Sequence, residues 1–255
     1  LIAPISFRKN IPLFYNKTEE EIRKDQYERY DPMVIRQSAL HLFDELWAGY
    51  PMQEVLDFAQ EHWPKSEVKN VVELGCSVGR WIAEITETNP KANCWGIDYS
   101  YQLLRQASDI WIHGKVDNLD FSRIGFPNNY RIEKKPLQNL RFGLAKAEKL
   151  PFDDESQDMV LSSFLFDRLQ DPIQGVLEMK RVLKKGGKMI MVTPLNFIKS
   201  EHWKQFDPPV KLYHQLTDLD LEVLDWREDM IIKEPLDARG NEIVWRCIAV
   251  VATKS

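Results

Sequence analysis

Cysteine is scarce in this 255-residue chain. Cys76, Cys94 and Cys247 are odd in number, far apart and without a C-x-x-C, so neither a disulfide framework nor a zinc knuckle is indicated. The five histidines are equally scattered. His202 beside Glu201 has no second His or Cys at ligand spacing and reads as a surface loop residue, so no metal is expected. Basic blocks are missing too. Lys and Arg number 34 against 39 Asp and Glu, a net charge of −5, and no run of them would lay a positive stripe along a phosphate backbone, which argues against nucleic acid as a partner. No apolar run approaches the length of a membrane span, and the opening LIAPISFRKN is interrupted by Pro4, Arg8 and Lys9 too early for a signal peptide; a cytoplasmic location without membrane contact is expected. Repeats, low-complexity tracts and Pro/Gly-rich linkers are absent, and the 44% hydrophobic content suffices for one α/β domain with extensions.

What is present divides near residue 65. Before it, TEEEIRKDQYERY offers Thr18 as a helix N-cap, and PMVIRQSALHLFDELW repeats apolar positions at Val34, Ile35, Leu40, Phe43, Leu46 and Trp47, so residues 1–65 read as a helical extension or cap with no strand between its helices. From Asn70 onward strand and helix alternate. NVVEL, ANCWGID, QDMVLSSF and KMIMVT read as strands, GRWIAEITETN as a helix stopped by Pro90, SYQLLRQASDIWIH as a helix capped by Ser100, and IQGVLEMKRVLKKGG as a helix ended by two glycines. Such alternation implies a mostly parallel sheet with helices on both faces over residues 66–255. LEVLDWREDMIIKEP and EIVWRCIAVVATK, joined by LDARGN, add a C-terminal hairpin and an antiparallel strand. An insertion, residues 115–140, falls at the junction expected on the N-terminal edge of the strands, away from where ligands bind in such sheets, and reads as packing or contact surface.

The chemistry concentrates in VVELGCSVGRW. A strand, a turn with Gly75 and Gly79, and a helix bring backbone N–H groups to the C-terminal edge of the sheet, where glycine lets a ligand approach the main chain. The run is not G-x-G-x-x-G, since Ser77 stands where a middle glycine would be, and no Gly-Lys-Ser/Thr follows, so a pyrophosphate cradle and a P-loop are poorly matched. Asp98, ending the adjacent strand, can accept hydrogen bonds from both ribose hydroxyls and would repel a 2′-phosphate. The expected ligand is a nucleoside with a short tail lacking a diphosphate.

Four stretches in this order, VVELGCSVGRW, GIDYS, AEKLPFDDESQDMVLSSF and LKKGGKMIMVTP, resemble the class I S-adenosylmethionine-dependent methyltransferases over about residues 68 to 200. The resemblance implies a Rossmann-like fold with a seven-stranded, mostly parallel sheet and S-adenosyl-L-methionine as cofactor. It implies Glu73 near the methionine amino group, Gly75 and Gly79 against the methionyl portion, Asp98 on the ribose, and Ala147 with Glu148 beside the adenine. The same stretches add Cys76, Ser77, Tyr99 and Ser163 as cofactor-lining candidates. One departure matters: LAKAE places Lys146 where the family's GDAE supplies an Asp to the adenine amino group.

Methyl transfer from a sulfonium is an in-line displacement that needs alignment and exclusion of water, and an amine acceptor must also arrive deprotonated. At the end of the fourth strand of that pattern the chain reads FDRLQDP where small-molecule members often carry LHHxxDP, so Asp167 and Arg168 are the catalytic candidates: Arg168 to grip a carboxylate and Asp167 to orient an amine. Alternatively Asp167 caps the following helix and Arg168 lies on its surface. Asn196, Phe197 and Trp203 after the fifth strand, and Tyr15, Tyr27 and Tyr30 from the N-terminal helices, are candidates for the acceptor wall or lid. The expected acceptor is a small molecule, zwitterionic or amino-acid-like with a nitrogen nucleophile, with a thiol-bearing histidine derivative as runner-up. A non-catalytic cofactor-binding protein, a protein-modifying methyltransferase and a nicotinamide-dependent oxidoreductase are the competing readings.

Overall fold

A computed structural model describes residues 1–64 and 67–255; the expected boundary between residues 65 and 66 lies outside the described residues. The chain opens with a hairpin, β1 (Ser6–Arg8) and β2 (Ile11–Leu13), followed by α1 (Glu19–Lys24), α2 (Gln26–Arg29), α3 (Asp31–Leu42) and α4 (Gln53–Glu61). Alternation then begins with β3 (Asn70–Leu74), α5 (Arg80–Thr88), β4 (Asn93–Asp98) and α6 (Tyr101–Trp111). A small separate hairpin, β5 (Asp117–Asp120) and β6 (Asn129–Ile132), precedes β7 (Leu140–Leu144), β8 (Gln157–Ser163), α7 (Pro172–Val182) and β9 (Leu183–Thr193). The chain ends with α8 (Ser200–Phe206), α9 (Val210–Asp218) and a long hairpin, β10 (Leu221–Pro235) and β11 (Glu242–Lys254).

Nine strands form the main sheet in the order β1-β2-β7-β4-β3-β8-β9-β11-β10. The seven from β7 to β10 match the number the resemblance implies, six of them read from the pattern and β7 not, and all are parallel except for β11, which runs against both β9 and β10. Period-two burial explains why they are central: Val71, Met159, Leu161, Ile190 and Val192 enter one apolar cluster with residues of α4, α5 and α6, while Val72, Val160, Met189 and Met191 enter the other with residues of α7, α8 and α9. Burying each such side chain contributes about 1.5–3 kcal/mol. The chain passes from β3 through β4 to β7 on one side and continues with β8 and β9 on the other, so β3 and β8 flank the switch point where open α/β sheets bind ligands.

Three local expectations differ. The N-terminal extension is not wholly helical: β2 joins the edge of β7 through Leu13 and Leu144, anchored by buried Ile11. Its two-residue turn, Lys9 and Asn10, has both φ angles positive (46° and 67°), the backbone of a tight hairpin without the glycine that usually announces one. Helix α7 stops at Val182, and Gly186 and Gly187 belong to the start of β9, where a register shift against β8 loops out the intervening residues. The insertion does not stay at the N-terminal edge. Phe121 stacks on Tyr130 and meets Phe43 edge-on at 5.1 Å, Phe126 packs on Trp47, and Gly125 lies against Asp237 in the loop between β10 and β11. That loop projects past the end of β9, because Thr193 already pairs with Ile248. Among the described residues no helix is long and apolar enough to cross a membrane.

Candidate functional site

The turn after β3 holds three left-handed residues, Gly75 (φ 70°), Ser77 (φ 51°) and Gly79 (φ 78°), and Gly79 caps α5. The N–H groups of Gly75 and Cys76 donate to the Ile97 carbonyl, tying the turn to β4. The glycines serve close approach within the protein: a Cβ at Gly75 would lie 3.2 Å from Leu165, and one at Gly79 2.7 Å from Phe142. Glu73 is buried at the end of β3 and accepts the Ile82 N–H at 2.9 Å, satisfying one of the orphan donors in the first turn of α5. Burial pushes its carboxyl up to about 8, opposed by that hydrogen bond and reinforced by Asp98. The Cys76 thiol, also buried, is pushed far up.

Asp98 ends β4 beside this turn. Its carboxylate accepts the Ser77 N–H at 2.8 Å and the Ser100 N–H at 2.7 Å. Burial raises its pKa against those two bonds. A carboxylate has about four lone-pair sites, so two remain for a pair of vicinal hydroxyls, and the residue keeps part of its surface accessible. The donor set therefore fits the ribose of the nucleoside cofactor. Next to it the Tyr99 ring lies between Tyr15, at 5.9 Å, and the Lys17 ammonium, 4.0 Å from its centroid. Lys146 is paired with Glu21 at 2.7 Å, Ala147 is buried, and Glu148 accepts the Gln170 N–H at 3.0 Å. Ser163 ends β8, half-buried, one residue before Phe164.

On the other side of the switch point the structure separates the acceptor candidates. The Asp167 side chain is fully buried and holds the turn after β9, accepting from the Asn196 N–H at 3.2 Å and the Thr193 hydroxyl at 3.4 Å. Burial raises its carboxyl, with Arg168 opposing. Asp171, not Asp167, caps α7, accepting from the Gln174 N–H. Arg168 is exposed, its guanidinium 3.4 Å from Asp167. Tyr27 is half-buried, and its hydroxyl is raised by burial and by Asp98 and Glu234, with Arg168 acting the other way. Tyr30 instead lies on the surface, paired with its neighbour Arg29. Phe197 is core, stacked on Phe206 at 5.1 Å, and the Trp203 indole donates to its carbonyl. His202, expected on the surface, is buried against the same two rings. Phe197, Trp203 and Phe206 line a cleft of about 430 Å³ with Asp207, Glu228, Asp229 and Arg246, and none of the nucleoside-side candidates lines it. The only candidate in it from the acceptor set is therefore the Phe197 and Trp203 pair, not Asn196 or Tyr27.

Residues that no sequence spacing announced complete the region above the switch point. Gln37 of α3 accepts from the Ser77 hydroxyl at 3.1 Å. Its neighbour Arg36 binds Glu234 at 2.9 Å and the carbonyls of Pro235 and Leu236, tying α3 to the tip of the β10–β11 hairpin. Trp245 donates to Glu234 and meets Phe164 edge-on at 6.1 Å. Both Arg36 and Gln37 look like ordinary polar-face residues of an amphipathic helix, which is why the pattern does not single them out. Elsewhere, Glu61, His62 and Asp225 are close enough to share a cation, but the Arg227 guanidinium lies among them, 2.7 Å from Glu61 and 2.8 Å from Asp225, making an ion-pair cluster.

Residues 72–191 match the profile of the family described as "Methyltransferase domain". Among curated proteins, the chain is 23% identical over 160 residues to a demethylmenaquinone methyltransferase of Alkalihalophilus pseudofirmus, covering 58% of this chain and 59% of that protein. It is 26% identical over 117 residues to an uncharacterized methyltransferase of Schizosaccharomyces pombe, covering 46% and 37%. The chain thus spans between about a third and three fifths of the length of these relatives. Among solved structures, a putative methyltransferase in complex with the Trm112 activator of Haloferax volcanii superposes with a TM-score of 0.60 at 19% identity, covering 90% of this chain and 98% of that one. The [4+2]-cyclase SpnF gives 0.61 at 14% identity over 96% and 98%. At such identities these two likenesses speak to the fold alone. The nucleoside-compatible edge at the switch point and the profile running from β3 into β9 agree: this chain carries a class I S-adenosylmethionine-dependent methyltransferase domain, with S-adenosylmethionine as its cofactor.

Proposed function

We propose that the chain transfers a methyl group from S-adenosylmethionine to a small, carboxylate-bearing, amino-acid-like acceptor. The observation carrying this reading is the roof above the switch point, where Arg36 ties α3 to the hairpin tip through Glu234, Pro235 and Leu236, a cross-tie that favours a small acceptor over a folded protein. The cofactor, when bound, supplies an electrophilic methyl on a cationic sulfur. The chain's own task is then to align the acceptor and exclude water. Arg168, exposed beside the buried Asp167 carboxylate, is the group suited to gripping a carboxylate. Asp167 acts through the backbone in this reading: its bonds to Thr193 and Asn196 set the turn that follows β9, and its charge orients Arg168.

The test is S-adenosylhomocysteine formation across a panel of amino acids and their methyl esters. Free acids should turn over and esters should not, and Arg168→Met should raise KM for the acids about tenfold or more while leaving cofactor affinity unchanged. Equal turnover of esters would remove the carboxylate grip. Turnover confined to a protein substrate would overturn the small-molecule reading.

A further inference from the structure

The segment from Lys17 to Arg29 crosses the C-terminal edge of the sheet above Asp98 and Tyr99, yet neither α1 nor α2 has a buried residue. Its attachments near the nucleoside edge are mostly polar. The Lys17 ammonium, with a side chain only 5% exposed, sits 2.6 Å from Asp25 and 3.2 Å from Glu28 and lies on the Tyr99 ring. Glu28 accepts the Tyr101 N–H at the start of α6, a donor that no intrahelical carbonyl can satisfy. At the other end, Glu21 is fixed by Thr18 through a capping box, takes both oxygens to the Tyr15 hydroxyl, and pairs with Lys146, whose ammonium lies 4.3 Å from the Tyr15 centroid and 5.6 Å from that of Tyr99. The Ala145 N–H donates to the Asp98 carbonyl, so Lys146 follows directly on the residue beside the ribose-side carboxylate.

We propose that residues 17–29 form a lid over the nucleoside site, latched by the Glu21–Lys146 pair, so that these two residues are positioning residues that control cofactor exchange. The departure at residue 146 then has a physical account. An Asp there would repel Glu21 across the same gap, whereas Lys146 binds the lid down. Tyr27 alone packs its ring against the apolar cluster, and the other attachments are polar, so the segment can lift while the sheet beneath stays intact because opening exposes the hydrophobic surface of one side chain. The charged contacts of Lys17 and Glu28 act as the inner attachment, and Tyr99 is the surface the lid covers.

The test needs no methyl acceptor, so it fails or succeeds independently of the proposed substrate. Release of radiolabelled S-adenosylmethionine is followed after a chase with excess S-adenosylhomocysteine, and amide exchange of residues 18–29 is read by mass spectrometry on the same proteins. Lys146→Met should speed release about three- to tenfold and accelerate exchange in the lid, with exchange in β3, β4 and β8 unchanged. Lys146→Arg, which keeps a cation opposite Glu21 and leaves the Thr18 and Tyr15 contacts of Glu21 intact, should keep both quantities close to the parent values. Bound cofactor should slow lid exchange in the parent protein. Release and lid exchange unaltered in Lys146→Met, or Lys146→Arg no closer to the parent than Lys146→Met, would overturn the latch.

Discussion

At the scale of single residues, Asp98 orders the backbone by accepting two N–H groups, and we propose that it also takes the ribose hydroxyls. Replacing it with Ala removes an acceptor for the Ser77 and Ser100 N–H groups as well as the proposed ribose contacts, so cofactor affinity should fall by about 1.5–3 kcal/mol, with a smaller loss of stability. Calorimetry on the folded variant checks this, and unaltered affinity would place the ribose elsewhere. Glu73 gives a pH prediction. Its folded value of about 8 lies above the ordinary value of about 4.3, so the native state holds a proton that the unfolded chain releases between those limits. Stability from this group is therefore present at low pH and lost as pH rises toward 8. Half-buried His41, lowered to about 4 mainly by desolvation, has the opposite slope below about 6.5, so the comparison must be between proteins and not between pH values alone. Glu73→Gln can still accept the Ile82 N–H, and should gain in urea midpoint relative to the parent as pH is raised from 5 to 8. A constant difference across that range would contradict the buried, proton-holding carboxyl. How far such residues can be read from sequence depends on where their partners lie. The caps at Thr18 and Ser100 are legible because each partner is three residues on, whereas Asp98 could be placed by its strand but Glu73 could not be aimed, since whether it faces a ligand or the helix depends on the turn. Asp167 was visible as a charge at a strand end, but its direction is set by Thr193 and Asn196, 26 and 29 residues away.

Among the elements, α3 and the β10–β11 hairpin are coupled by one side chain. Arg36→Ala should loosen the roof, raising KM for the acceptor more than it alters cofactor affinity, because the proposed nucleoside contacts lie at the ends of β3 and β4. Steady-state kinetics beside calorimetry separates the two, and equal losses in both would show that the roof serves the whole site. The N-terminal hairpin offers a stability test. Its Lys9-Asn10 turn uses two positive φ angles without glycine, so replacing the pair by Asn-Gly should stabilise the protein by roughly 0.5 kcal/mol, measurable as a rise in melting temperature. The same turn explains why this strand pair was not legible: Lys-Asn carries no hairpin signal, and each strand has three residues. The central strands were legible for the opposite reason, because burial on both faces leaves long β-branched and aliphatic runs such as Val71 to Leu74 and Met189 to Val192.

For the whole molecule, the two halves of the site differ in how far along the chain they must reach. Asp98 meets Ser77 across 21 residues, inside one strand-helix-strand unit, whereas Arg36 meets Glu234 across 198. The entropy of closing a loop grows with its length, and contacts between distant residues form late in folding. Refolding chains should accordingly pass through an interval in which the proposed nucleoside edge is formed but the acceptor side still lies open, and completion of the roof waits for the β10–β11 hairpin to dock against α3. In that interval the protein would hold a reactive methyl donor with its acceptor side open to solvent. A lid latched to Lys146, independent of the β10–β11 hairpin, means that retention of the cofactor need not wait for the roof to close.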